Sequence, residues 1–79
     1  MAVKITERQG QYLSFISQYM KVNGRSPAES DIQRYFDVSP PTVHQMVVKL
    51  ESLGLISRKL GVARSIKVLV SPDNIPELK

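Results

Sequence analysis

The chain has 79 residues, with eleven Lys and Arg against seven Asp and Glu, a formal net charge of +4 and a sequence pI near 9.7. That length suits one domain with a modest core, because a chain this small buries only about 60% of its unfolded surface. With no cysteine and the single histidine His44, a disulfide framework, a thiolate site and a zinc site are excluded, and neither metal nor cofactor is expected.

Residues 1–5 are a short lead-in, too short and too polar for a signal peptide, and no apolar run reaches membrane-spanning length. A soluble cytoplasmic protein, nucleoid-associated in a bacterial cell, is the expectation. Thr6 and Gln9 form a T-x-x-Q capping box that starts a helix from Glu7 to about Val22. Tyr12, Leu13, Ile16, Tyr19 and Met20 share one face, with Phe15 at its edge, and read as core. Asn23-Gly24 stops the helix, and Arg25-Ser26-Pro27 is an extended connector. A second, short helix spans about Glu29 to Phe36, with Ile32, Tyr35 and Phe36 inward and Glu29 and Asp31 favouring the positive end of its dipole.

Asp37-Val38-Ser39 is a tight turn with Val38 pointing inward. Ser39 caps the third helix and Pro40 takes its first position, where a missing N–H costs nothing. Val43, Met46, Val47, Leu50 and Leu53 recur at three- and four-residue steps and make one apolar stripe. The opposite face carries Thr42, His44, Gln45, Lys49 and Ser52, compact hydrogen-bonding side chains that suit the major groove of DNA. Gly54 ends the helix, which runs over 40–53. A short helix, a three-residue turn and a longer amphipathic helix make up a helix-turn-helix.

Beyond Gly54 the apolar period changes to alternation. Leu55 to Leu60 reads as a strand with Ile56 and Leu60 apolar, Gly61 to Arg64 as a turn, and Ser65 to Val70 as the return strand with Ile66, Val68 and Val70 inward. The fold class is mainly α with a small β-hairpin: a winged helix-turn-helix over 1–70, with 71–79 as a C-terminal tail or linker start. From Lys49 to Lys67 there are five basic residues and one acidic residue, Glu51, the footprint of a phosphate-backbone contact.

In this order the residues resemble the N-terminal DNA-binding domain of the LexA repressor family. Ile5-Thr6-Glu7-Arg8-Gln9 resembles that family's opening, and Gly24-Arg-Ser-Pro27 its Gly-x-Pro-Pro connector. Asp31-Ile32 resembles its Glu-Ile pair, and Ser39-Pro40 the start of its recognition helix. Leu50 through Gly54-Leu55-Ile56 resembles the helix end and first wing strand. Gly61-Val-Ala-Arg64-Ser-Ile66-Lys67 resembles a wing that reads Gly-x-x-Arg-Gly-Ile-Arg in the family. The likeness covers about residues 3–70. In the family the chain continues into a serine–lysine peptidase-like domain that self-cleaves and dimerises. These residues include no counterpart of it, so no enzymatic activity is expected of them. The family places an Asn, an Ala and a pair of Glu against the bases where this chain has Pro41, Thr42, His44 and Gln45, which implies the same docking with a different target sequence. Ala28 stands where the family has a hydroxyl cap for helix two, and the turn before Ser39 is slightly shorter.

The resulting expectation is a sequence-specific regulator of transcription, a repressor, that binds double-stranded DNA without catalysis. Ser39, Pro41, Thr42, His44 and Gln45 are the expected base contacts. Gln45 can pair with adenine, the Thr42 methyl can touch a thymine methyl, and His44 can donate to guanine N7 or O6 or meet a phosphate. Ser39 and the helix start can also hold a phosphate. Lys49, Arg58, Lys59, Arg64 and Lys67 are the expected phosphate or minor-groove contacts, with Arg64 at the wing tip. Strong selectivity calls for a homodimer on a two-fold operator. The competing reading is a winged-helix interaction or dimerisation module, seeded by Val48 and Leu69, which would show no salt-dependent DNA binding. RNA binding is a third reading, and the chain lacks a sheet-borne aromatic pair to stack bases.

Overall fold

In the computed structural model, which describes residues 5–79, three helices are followed by a two-stranded antiparallel hairpin. Residues 1–4, most of the expected lead-in, lie outside the described part. Helix α1 spans Glu7–Asn23. Its capping box is closed from both sides: the Gln9 N–H donates to the Thr6 hydroxyl at 3.1 Å and the Thr6 N–H to Gln9 Oε1 at 3.0 Å. It stops at Gly24, which takes a left-handed φ of 69° and donates to the Met20 carbonyl at 2.8 Å.

Helix α2 spans Glu29–Phe36. Ala28 offers no side-chain cap, and the reciprocal half of the box remains, with the Ala28 N–H donating to Asp31 Oδ2 at 2.9 Å. Helix α3 spans Pro40–Ser52. After it, Leu53 closes the last turn and Gly54 is left-handed (φ 75°). Gly54 N–H donates to the Glu51 carbonyl and Leu55 N–H to the Leu50 carbonyl, both at 3.0 Å. These two hydrogen bonds satisfy the Glu51 and Leu50 carbonyls near the helix end and bring Leu55 into the core with Leu50.

One cluster forms the interior. Tyr12, Leu13, Phe15 and Ile16 come from α1, Ile32 from α2, Val43, Val47 and Leu50 from α3, and Leu55, Ile56 and Ile66 from the hairpin. Phe36 stacks on Tyr12 with ring centroids 4.3 Å apart. Val38 is half-buried against the cluster, as the turn requires. Three residues expected in the core instead keep about two-fifths of their surface exposed: Met20, Tyr35 and Leu53. Leu53 lies past the last helical residue, so the stripe no longer carries it inward. Met20 is in the last turn of α1, at the rim beside Val68. Tyr35 lays its ring on Phe15 at 4.6 Å while its hydroxyl reaches out to the Lys79 carbonyl.

Strands β1 (Ile56–Ser57) and β2 (Lys67–Val68) pair in register Ile56 to Val68 and Ser57 to Lys67, with one further bond from Leu69 N–H to the Leu55 carbonyl. They are much shorter than the alternation predicts. Beyond Ser57 the Ser65 side chain takes over from the ladder. Its Oγ accepts from the Lys59 N–H at 2.9 Å and lies 2.8 Å from the Val62 carbonyl and 3.2 Å from that of Lys59. The chain therefore coils into turns, and Leu60, expected on the apolar side with Ile56, is 93% exposed.

A short 3₁₀ turn, Pro72–Asn74, leads residues 75–79 back along α1. The Gln11 side chain donates to the Glu77 carbonyl at 2.9 Å and accepts from the Lys79 N–H at 2.8 Å. Pro76 lies over Gly10, so that Gln9, Gly10 and Gln11 are buried despite being polar or small.

Candidate nucleic-acid interface

Burying Val43, Val47 and Leu50 turns the other side of α3 to solvent. Pro41, Thr42, His44, Gln45 and Lys49 are all exposed there, along with Ser52 and Val48. Ser39 sits at the head of this face. Its hydroxyl accepts from the Thr42 N–H at 3.4 Å and lies 2.8 Å from the Thr42 hydroxyl. The pair is thereby positioned, and the Ser39 hydroxyl keeps one hydrogen-bonding site and the Thr42 hydroxyl two. Pro40 and Pro41 remove two N–H groups from the helix start. The Gln45 side chain has no hydrogen-bond partner among the described residues, which leaves its amide donors and acceptor for a ligand.

A chain of one histidine–carboxylate hydrogen bond and two ion pairs ties this face to the wing. His44 Nδ1 lies 3.3 Å from Glu29 Oε1 at the start of α2. The other Glu29 oxygen takes Arg58 Nη1 at 3.4 Å, and Arg58 Nε donates to Glu51 of α3 at 3.2 Å. Arg58 follows directly on β1, so the root of the wing and the outer face of α3 lie on one side of the molecule. Arg58 itself is only 18% exposed at its side chain.

The five expected phosphate contacts divide. Lys49, Lys59 and Lys67 are exposed and have no carboxylate within ion-pair distance among the described residues. Arg58 and Arg64 are held by carboxylates. The sequence pattern places Arg64 at the wing tip as a phosphate or minor-groove contact, and the structure turns its side chain inward. Its backbone is left-handed (φ 55°) and its Nη1 donates to Asp31 Oδ2 at 2.9 Å, the Tyr19 hydroxyl at 3.2 Å and the Ser26 carbonyl at 3.4 Å. Buried Ser26 then accepts from the Ile66 N–H at 3.2 Å. Asp31 is held below the ordinary carboxylate range, first by the Ala28 N–H and then by the Arg64 guanidinium. The Tyr19 hydroxyl and Asp31 together raise the pKa of Arg64 further.

Four residues of this site carried no signal for it in the sequence. Glu29 read only as a helix-dipole partner, Asp31 as that and as half of a pair resembling the family's Glu-Ile, and Ser26 and Ser65 as connector and strand. Their partners lie 29, 33 and 40 positions away for Glu29, Asp31 and Ser26, distances at which no local spacing is informative. Among the described residues, no cluster of three or more His, Asp or Glu is arranged to hold a metal ion, and no helix is long and apolar enough to cross a membrane.

Comparison with known proteins places these features. The family of the LexA DNA binding domain matches residues 2–65. A LexA repressor of Petrotoga mobilis is 42% identical over 73 residues, covering 91% of this chain and 35% of its own length. A LexA repressor of Thermosipho melanesiensis is 38% identical over 72 residues, covering 91% and 36%. One from Thermotoga maritima is 34% identical over 70 residues, covering 89% and 36%. The chain thus spans a little over a third of the length of the curated relatives it matches.

Proposed function

The chain belongs to the LexA DNA-binding domain family, and from that membership we propose that it binds double-stranded DNA sequence-specifically and represses transcription, in the cytoplasm at the nucleoid. The observation that carries this reading is the shared side: a polar, exposed helix face and the root of a cationic wing joined through His44, Glu29, Arg58 and Glu51.

Helix α3 enters the major groove with Thr42, His44 and Gln45 against base edges, and Ser39 and Pro41 close to the strand at the helix start. Lys49, Lys59 and Lys67 meet phosphates. Arg58 and Arg64, already paired with carboxylates, hold the wing at its angle and add less to backbone affinity. Residues 1–70 form the binding unit and residues 71–79 support it by packing on α1. Two copies on a two-fold operator supply the selectivity that one copy lacks.

The test is a Gln45→Ala variant, compared with the unaltered chain on a duplex selected from a random pool and on unselected duplex. A loss of about 1–3 kcal/mol on the selected duplex alone, with relaxed choice at one base pair, is the expected result. Equal losses on both duplexes would refute the base-reading assignment.

A further inference from the structure

His44 has its Nδ1 3.3 and 3.5 Å from the two carboxylate oxygens of Glu29. An ionised carboxylate only accepts, so Nδ1 carries the proton of this contact. A neutral imidazole has one proton, and its other nitrogen, Nε2, is then an acceptor. The Glu29 carboxylate is itself braced. Arg58 Nη1 donates to its Oε2 at 3.4 Å, and Arg58 is fixed from its other side by Glu51 at 3.2 Å. The acceptor that orients the imidazole is thereby tied to two elements besides its own helix.

We propose that Glu29 is a positioning residue for base recognition: by accepting the Nδ1 proton of His44 it leaves Nε2 as a hydrogen-bond acceptor on the outer face of α3, so that neutral His44 selects a base with a major-groove donor, adenine N6 or cytosine N4. This rests on the reading of α3 as the helix that enters the groove. The alternative role for His44, donation to guanine, needs a proton on Nε2 as well, and with Nδ1 committed to Glu29 that state is the imidazolium. With Nδ1 committed to Glu29, the position that His44 reads therefore prefers adenine or cytosine over guanine.

The experiment is selection of the full chain on a random duplex pool at neutral pH, repeated for His44→Ala, Glu29→Gln and Glu77→Gln. His44→Ala identifies the position that His44 reads, by erasing its preference. At that position the unaltered chain is expected to favour adenine or cytosine over guanine about fivefold, the worth of a single hydrogen bond. Glu29→Gln loses that preference, because an amide can also donate to Nδ1 and no longer fixes the tautomer. Glu77→Gln removes an exposed carboxylate away from His44, Glu29 and Arg58 and keeps the preference. Guanine preferred at that position, or a Glu29→Gln profile identical to that of the unaltered chain, would overturn the proposal. A pool that shows no enrichment overturns the DNA-binding reading itself, and the role of Glu29 with it.

Discussion

Arg64 has three acceptors within 3.4 Å of one guanidinium nitrogen, while exposed Lys59 has no carboxylate within ion-pair distance among the described residues. Both lie in the same cationic stretch, five positions apart. Binding to phosphate releases counterions in proportion to the charges brought up to the backbone. Lys59→Gln is therefore expected to lower the slope of log affinity against log salt by about 0.9, whereas Arg64→Gln leaves that slope close to the unaltered value. The Arg64 change instead lowers the melting temperature, because Asp31, Tyr19 and Ser26 lose their common partner. Anisotropy titrations over a salt series, beside thermal melts of both variants, separate these roles. Asp31 adds a pH signature. Its folded pKa is lowered, so its contribution to stability is present above the unfolded value of about 3.9 and is lost as pH falls through the folded value. Asp31→Asn is expected to be less stable near neutral pH and to show a shallower acid limb when stability is followed by denaturant unfolding from about pH 6 to about pH 2.

Helix boundaries were legible because their signals are local. Thr6 with Gln9, Ser39 with Pro40, and Gly24 and Gly54 all act within one turn of the ends they mark. The wing was legible in place and direction, but its strands were not. A serine hydroxyl that serves Lys59 and Val62 at once replaces ladder bonds that alternation assumes, and alternation does not register it. The packing of residues 75–79 along α1 escaped the sequence for another reason. It depends on two hydrogen bonds to Gln11 from more than 60 positions away and on the missing side chain of Gly10. A Cβ on Gly10 would stand 2.7 Å from Pro76 Cγ, and a proline ring cannot swing aside as a flexible chain end does. Gly10→Ala is accordingly expected to cost about 1–3 kcal/mol in overpacking and to speed amide exchange at Lys79, read by hydrogen exchange. An unchanged exchange rate at Lys79 would show that the segment is held by something other than this contact.

For the molecule as a whole, a net charge of +4 is a mild excess, and its effect depends on which charges are already spent. Glu29, Asp31 and Glu51 all lie close to the wing or α3, and each is engaged by Arg58 or Arg64, which leaves Lys49, Lys59 and Lys67 to face a polyanion. That arrangement was only partly visible in the sequence. The cationic stretch was plain, and the pairing that sorts it into structural and ligand-facing cations was not. Three lysines per copy imply a salt slope of about 2.7 for each copy bound. The measurement that bears most directly on DNA recognition by this face is an anisotropy titration of the purified chain against selected and random duplex at about 50 and about 200 mM salt. Binding to both duplexes that weakens with salt is expected, with the selected duplex bound at least about a thousandfold more tightly. No binding at the lower salt, or affinities that neither distinguish the duplexes nor respond to salt, would contradict it.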